Sequence, residues 1–172
     1  MRYSLPLVAL FVTPLFAGAA HLTQFDFPLS VEQTNPPATF PDGATLPSGM
    51  ASVLVDSDAM TISWDVDYQD LTGPIVAPGA HFHGPAEIGS NAGVQIFLSD
   101  GDPAEPASGN LSGMSPLTSD QLSDVLSGLW YLNIHTAANG SGELRGQVVP
   151  EPAALAMATV ISAPALLRRR KC

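Results

Sequence analysis

Two imidazoles stand one residue apart in AHFHGPA, residues 80–86, and a third lies in GLWYLNIHT, residues 128–136. Neutral imidazole nitrogen suits Cu(II) and Zn(II), and a sheet that gathers such ligands from separate strands fixes their angles. In an extended segment His81 and His83 point to one side and Phe82 to the other. In the later run Trp130, Leu132 and Ile134 share one face, while Tyr131, Asn133 and His135 share the opposite, polar one. His81, His83 and His135 are therefore candidate ligands for copper or zinc, expected to converge on an outward patch of a pleated scaffold. The alternative stays open that they only hydrogen-bond loop carbonyls and the Gly-Pro-Ala turn. Glu143, Arg145 and Gln147 alternate onto one face of a further strand, and with Asn133 they are candidates for the layer that supports a ligand. As a lone cation among acids, Arg145 is expected to find a carboxylate. No G-x-S-x-G stretch occurs and the single cysteine is Cys172, so no catalytic residue is assigned.

These residues need strands to position them. Residues 59–68, AMTISWDVDY, alternate apolar and polar side chains for ten positions, which predicts a strand with one face in a core and one in water. A second apolar run at 50–55, joined to it by Asp56-Ser57-Asp58, predicts an antiparallel hairpin. Further strands are expected at 25–32, 81–83, 94–98, 129–136 and 143–149, between loops rich in Gly, Pro, Asn and Ser. One short helix interrupts them: Thr118-Ser119-Asp120-Gln121 fits a capping box, Leu122, Val125 and Leu126 form an apolar stripe, and Gly128 stands where the helix should stop. Residues 99–115, polar and turn-rich, are expected to be an exposed loop. About seven short strands at this spacing point to one all-β domain, a sandwich or barrel.

The ends differ in kind from the middle. Residues 1–20 carry Arg2, an apolar run and small residues near Ala19 and Ala20, the anatomy of a secretory signal peptide. At the other end an apolar segment, 153–167, precedes Arg168, Arg169, Arg170 and Lys171; its length of about 22 Å falls short of the roughly 30 Å hydrocarbon core. Five of the six basic residues lie in these ends, and Glu151 with them. The domain expected at 21–149 thus sets Arg145 against fifteen acids, a formal charge of −14. That surface repels nucleic acid and keeps an exported domain soluble. Without a disulfide its stability must come from an apolar core.

Val149-Pro150-Glu151-Pro152, the apolar segment and the arginine cluster, residues 150–172, resemble the PEP-CTERM sorting signal. The resemblance implies transient residence in the inner membrane, cleavage by an exosortase after signal peptidase has acted, and delivery to the cell surface or extracellular space of bacteria that export exopolysaccharide. Between the ends, HFHGPA (81–86), GLWYLNIHT (128–136) and GELRGQV (142–148), with the helix directly before the second block, resemble the CHRD (chordin) domain family over about residues 24–149. That resemblance implies an extracellular, immunoglobulin-like antiparallel β-sandwich. It leaves the function open, between a non-enzymatic cell-surface or matrix module that meets exopolysaccharide or surface proteins and a copper- or zinc-binding protein. HFH is also distantly similar to the histidine pair of copper-zinc superoxide dismutases, but that family's bridging histidine, zinc-ligand loop and disulfide are missing. Adhesion to sugars through exposed tryptophans is disfavoured, since Trp64 and Trp130 fall on expected core faces.

Overall fold

The computed structural model describes residues 21–149. The expected signal peptide (1–20) and sorting segment (150–172) lie outside the described residues. Among the described residues no helix is long and apolar enough to cross a membrane.

Eight strands and one helix follow in order: β1 (Leu22–Leu29), β2 (Ser48–Asp56), β3 (Thr61–Gln69), β4 (Ile75–His83), β5 (Val94–Ser99), β6 (Gly109–Pro116), α1 (Ser119–Leu126), β7 (Tyr131–Thr136) and β8 (Leu144–Gln147). A short 3-10 turn, Val31–Gln33, follows β1. The strands pair antiparallel into two four-stranded sheets, ordered β1-β2-β3-β6 and β5-β4-β7-β8, so the chain forms an all-β sandwich. Alternation decides which side chains meet between the sheets. Phe25, Phe27, Val53, Val55, Ile62, Trp64 and Val66 come from the first sheet; Phe82, Leu132, Ile134 and Leu144 come from the second, and all are buried. Trp64 stands edge-on to Phe82, with ring centroids 5.8 Å apart, and Phe82 tilts against Trp130 at 5.9 Å. Each such side chain contributes about 1.5–3 kcal/mol through burial, and this core takes the place of a disulfide.

Local chemistry explains the connections. Asp56 Oδ1 accepts from the backbone N–H groups of Asp58 and Ala59 at 3.0 and 2.8 Å, which closes the β2–β3 hairpin. Thr118 and Gln121 form the capping box of α1. Its other end is finished by Leu129 N–H donating to Asp124 O and Gly128 N–H to Val125 O, with Gly128 at φ +75°. Val125 reaches the core, but Leu126, expected in the same stripe, is exposed.

The expected loop at 99–115 is overturned in its second half. Residues 109–116 form β6 and pair with β3 along its length. Its composition, GNLSGMSP, hides it, because only Leu111 points into the core. Gly113 lies opposite Trp64, and a methyl group there would press on the indole Cζ2 at 2.6 Å. As an edge strand, β6 needs few apolar residues.

The outer faces of the two sheets are unlike. That of the first sheet is open to water and acidic: Asp26, Asp65 and Asp67 are exposed, and Asn110 Nδ2 bridges Asp65 and Asp67 at 2.6 and 3.0 Å. The second sheet was expected to be open in the same way. Instead every residue of β7 and β8 is buried, including the polar Asn133, His135, Arg145 and Gln147. Residues 84–93, 137–142 and 33–39 fold over this face as a roof, held by the side-chain hydrogen bonds described next.

Candidate metal centre

His81 and His83 lie on β4 opposite Asn133 and Tyr131 of β7, while Phe82, opposite Leu132, turns into the core. His135 stands two residues further along β7, on the same face as Asn133. The three rings gather there. The centroids of His83 and His135 each lie at 4.7 Å from that of His81, and at 6.3 Å from one another. One ring nitrogen from each residue falls within 4.8 Å of the others, the one such group of histidine, cysteine and acidic side chains among the described residues.

Loop carbonyls fix how each ring presents its nitrogens. His83 Nδ1 is 2.9 Å from Ala92 O and His135 Nδ1 is 3.0 Å from Gly140 O. A carbonyl only accepts, so both rings carry their proton on Nδ1 and turn a lone pair on Nε2 inward. His81 Nδ1 is 2.9 Å from His83 Nε2, and by the same logic it is the donor. That leaves the Nε2 lone pair of His81, buried and without a partner. Such an orphan is rare in a folded protein and calls for an explanation.

The electrostatics keep all three rings neutral. Burial pulls His81 down to about 4, helped by the fields of His135 and His83 and opposed by the Pro78 carbonyl. Burial also lowers His83, against the Ala92 carbonyl and with help from Arg145. His135 is lowered by burial first, the Gly140 carbonyl opposing and His83 adding to it. Neutral imidazole is the form that binds a metal ion.

The donor set fits copper or zinc on these observations: three neutral imidazoles with one ring nitrogen of each within 4.8 Å of the others, and a buried His81 nitrogen without a hydrogen-bond partner.

The candidate supporting residues are placed differently from one another. Asn133 touches the cluster: its Nδ2 lies 3.3 Å from His135 Nε2 and donates to Ser141 O at 3.1 Å. Glu143 bonds no histidine. It is fully buried and accepts from Thr72 N–H, Thr72 Oγ1, Thr136 Oγ1 and Asn139 Nδ2, thereby closing the 137–142 loop that supplies Gly140 O. Arg145 finds no carboxylate among the described residues, contrary to expectation. Its guanidinium lies 3.5 Å over the Tyr131 ring and donates to Asn91 Oδ1 at 2.8 Å and Ser90 O at 2.6 Å. The roof explains why: the acids stay in water, and the carbonyls of the 84–93 loop take the guanidinium instead.

Two aromatic residues belong to the site without having been singled out. Tyr131 stacks parallel on His83, centroids 4.8 Å apart, and its hydroxyl accepts from Ala92 N–H at 3.1 Å. Phe97 of β5, 56% exposed, stands edge-on to His81 at 5.1 Å and forms the solvent side of the cluster. The alternation of YLNIHT already put Tyr131 on the face of His135, whereas nothing in the sequence paired Phe97 with His81.

Fold and site together define an antiparallel β-sandwich that carries a buried three-histidine cluster under loops on one outer face. The CHRD domain family matches residues 25–148, and the chain belongs to that family. Comparison with curated proteins and with solved structures gives no match.

Proposed function

We propose that this CHRD domain is an exported binding module of the cell surface that holds Cu(II) or Zn(II) through His81, His83 and His135. The observation that carries the reading is the convergence of three neutral imidazoles, one ring nitrogen of each within 4.8 Å of the others, with Nε2 of His81 buried and without a partner. When bound, the ion would supply a Lewis-acidic centre, and with copper a redox-active one. The chain's own groups do the rest. Ala92 O and Gly140 O hold two rings in one tautomer, Tyr131 covers one side of His83, and Phe97 limits water at His81.

The test is a titration of the full chain in detergent with Cu(II) and with Zn(II), beside the triple variant His81→Ala, His83→Ala, His135→Ala. The wild type is expected to bind one ion per chain at least a hundredfold more tightly than the variant. Equal, negligible binding by both would leave only a structural module.

Export rests on the signal peptide at 1–20 and on the Pro150-Glu151-Pro152 segment with its apolar run and arginines. Signal peptidase and an exosortase are the proposed processing partners, with the inner membrane as a transient station. Replacing Pro150, Glu151 and Pro152 by alanine in an exosortase-positive host is expected to leave an uncleaved, membrane-retained precursor. An unchanged mature mass contradicts this.

A further inference from the structure

We infer that a second site, beside Arg145, binds a small hydroxylated carboxylate of the sugar-acid class. A cavity of about 460 Å³ is bounded by Glu32, Gln33, Asn35, Ile88, Gln147 and Arg145, within the size range of small-molecule sites. Arg145 is the single basic residue of 21–149, only 2% exposed, and no acid among the described residues pairs with it. Burying an unpaired charge is costly, and the Tyr131 face and two neutral acceptors offset that cost in part. Two of the five guanidinium N–H groups are engaged, leaving donors for an anion. The position is rigid as well, since the backbone of Arg145 exchanges hydrogen bonds with Ser30 on one side and Arg145 pairs with Asn133 on the other. A bidentate guanidinium–carboxylate contact rewards such fixed placement.

The rest of the wall selects the remainder of the ligand. Gln147 commits its amide N–H groups to Ala86 O and Gly128 O, Asn35 donates to Gly89 O, and Gln33 donates to Pro28 O. The side-chain oxygens of Gln147 and Asn35 and the Glu32 carboxylate are left as acceptors. One cationic donor beside several acceptors complements a molecule with one anionic group and several hydroxyls. Inorganic phosphate carries more negative charge than a single carboxylate, so Glu32 opposes it more, and it brings no array of hydroxyls for the acceptors; a neutral sugar would leave the guanidinium unpaired. The site adjoins the proposed metal centre, since the Tyr131 ring lies between the Arg145 guanidinium and His83, but it needs no ion there.

The experiment measures D-glucuronate binding to the full chain, stripped of metal with a chelator, by calorimetry or chemical-shift perturbation, with D-glucose and inorganic phosphate as comparisons. Saturable glucuronate binding in the millimolar range or tighter is expected, at least tenfold stronger than either comparison and unchanged in the triple-histidine variant. Arg145→Met should abolish it. Because that variant disturbs the 84–93 loop, Ile88→Asp is the second: it adds a negative charge at a wall position that is 73% exposed and makes no side-chain hydrogen bond, and it should weaken binding at least fivefold with the unfolding temperature unchanged. No saturable binding, glucose or phosphate binding equal to glucuronate, or an unaffected Ile88→Asp overturns the inference.

Discussion

Replacing Glu143 by alanine should lower the stability of the domain by about 3–5 kcal/mol, because it strands a set of buried donors at once. The carboxylate is fully buried and takes hydrogen bonds from Thr72 N–H at 2.6 Å, Thr72 Oγ1 at 2.6 Å, Thr136 Oγ1 and Asn139 Nδ2 at 3.1 Å. Glu143→Gln keeps the volume but turns an amide N–H toward groups that only donate there, and about 2 kcal/mol is expected from it. The pH dependence separates charge from shape. Burial alone would raise this carboxyl, but bonds from Thr136, Thr72 and Asn139 outweigh it and hold it below its ordinary 4.5. A depressed folded-state value means that the contribution is fully present above about pH 4.5 and is lost as pH falls through the folded value. Urea midpoints of wild type should therefore fall more steeply below pH 4.5 than those of Glu143→Gln. Parallel pH curves would show that the ionised form is not what the loop requires.

Gly79→Ala is expected to cost about 3 kcal/mol or more and to weaken metal binding with it. Gly79 sits in the irregular stretch of β4, where the register with β7 shifts between Ile75 and Ala80, and has φ +93°. A methyl group there would collide with the Ser99 carbonyl oxygen and lie 2.8 Å from the Asp100 carbonyl carbon, both backbone atoms that cannot swing aside. Any relief moves β4 against β5, and His81 begins two residues on. Gly89→Ala is the control, since Gly89 has a similar φ of +81° with nothing within 4 Å. Strain alone should cost it about 1 kcal/mol. Equal unfolding midpoints for the two variants would refute the packing argument.

The parts of the molecule that were legible in the sequence are those where one residue's environment follows from its neighbours along the chain. Period two in TISWDVDY placed Trp64 inside, and the Thr118–Gln121 pair placed the start of α1. The same alternation put His81 and His83 on one face and His135 with Asn133 on another, although only strand order brings those faces together. The unread parts depend on contacts distant in sequence. β6 is defined by its partner β3 rather than by its own glycines and serines, and Arg145 meets the 84–93 loop across more than fifty positions. The roof itself is a tertiary feature: alternation shows that a side chain leaves the core, but not whether water or a loop awaits it.

The difference between the outer faces suggests how the domain can be handled as a device. A tether or fluorophore attached at Ser112, exposed on β6, would be insulated from the imidazoles by the full thickness of both sheets. Immobilised through that point, the protein would lie with its acidic side toward the support and its roofed side toward the analyte, an orientation suited to a surface-mounted sensor.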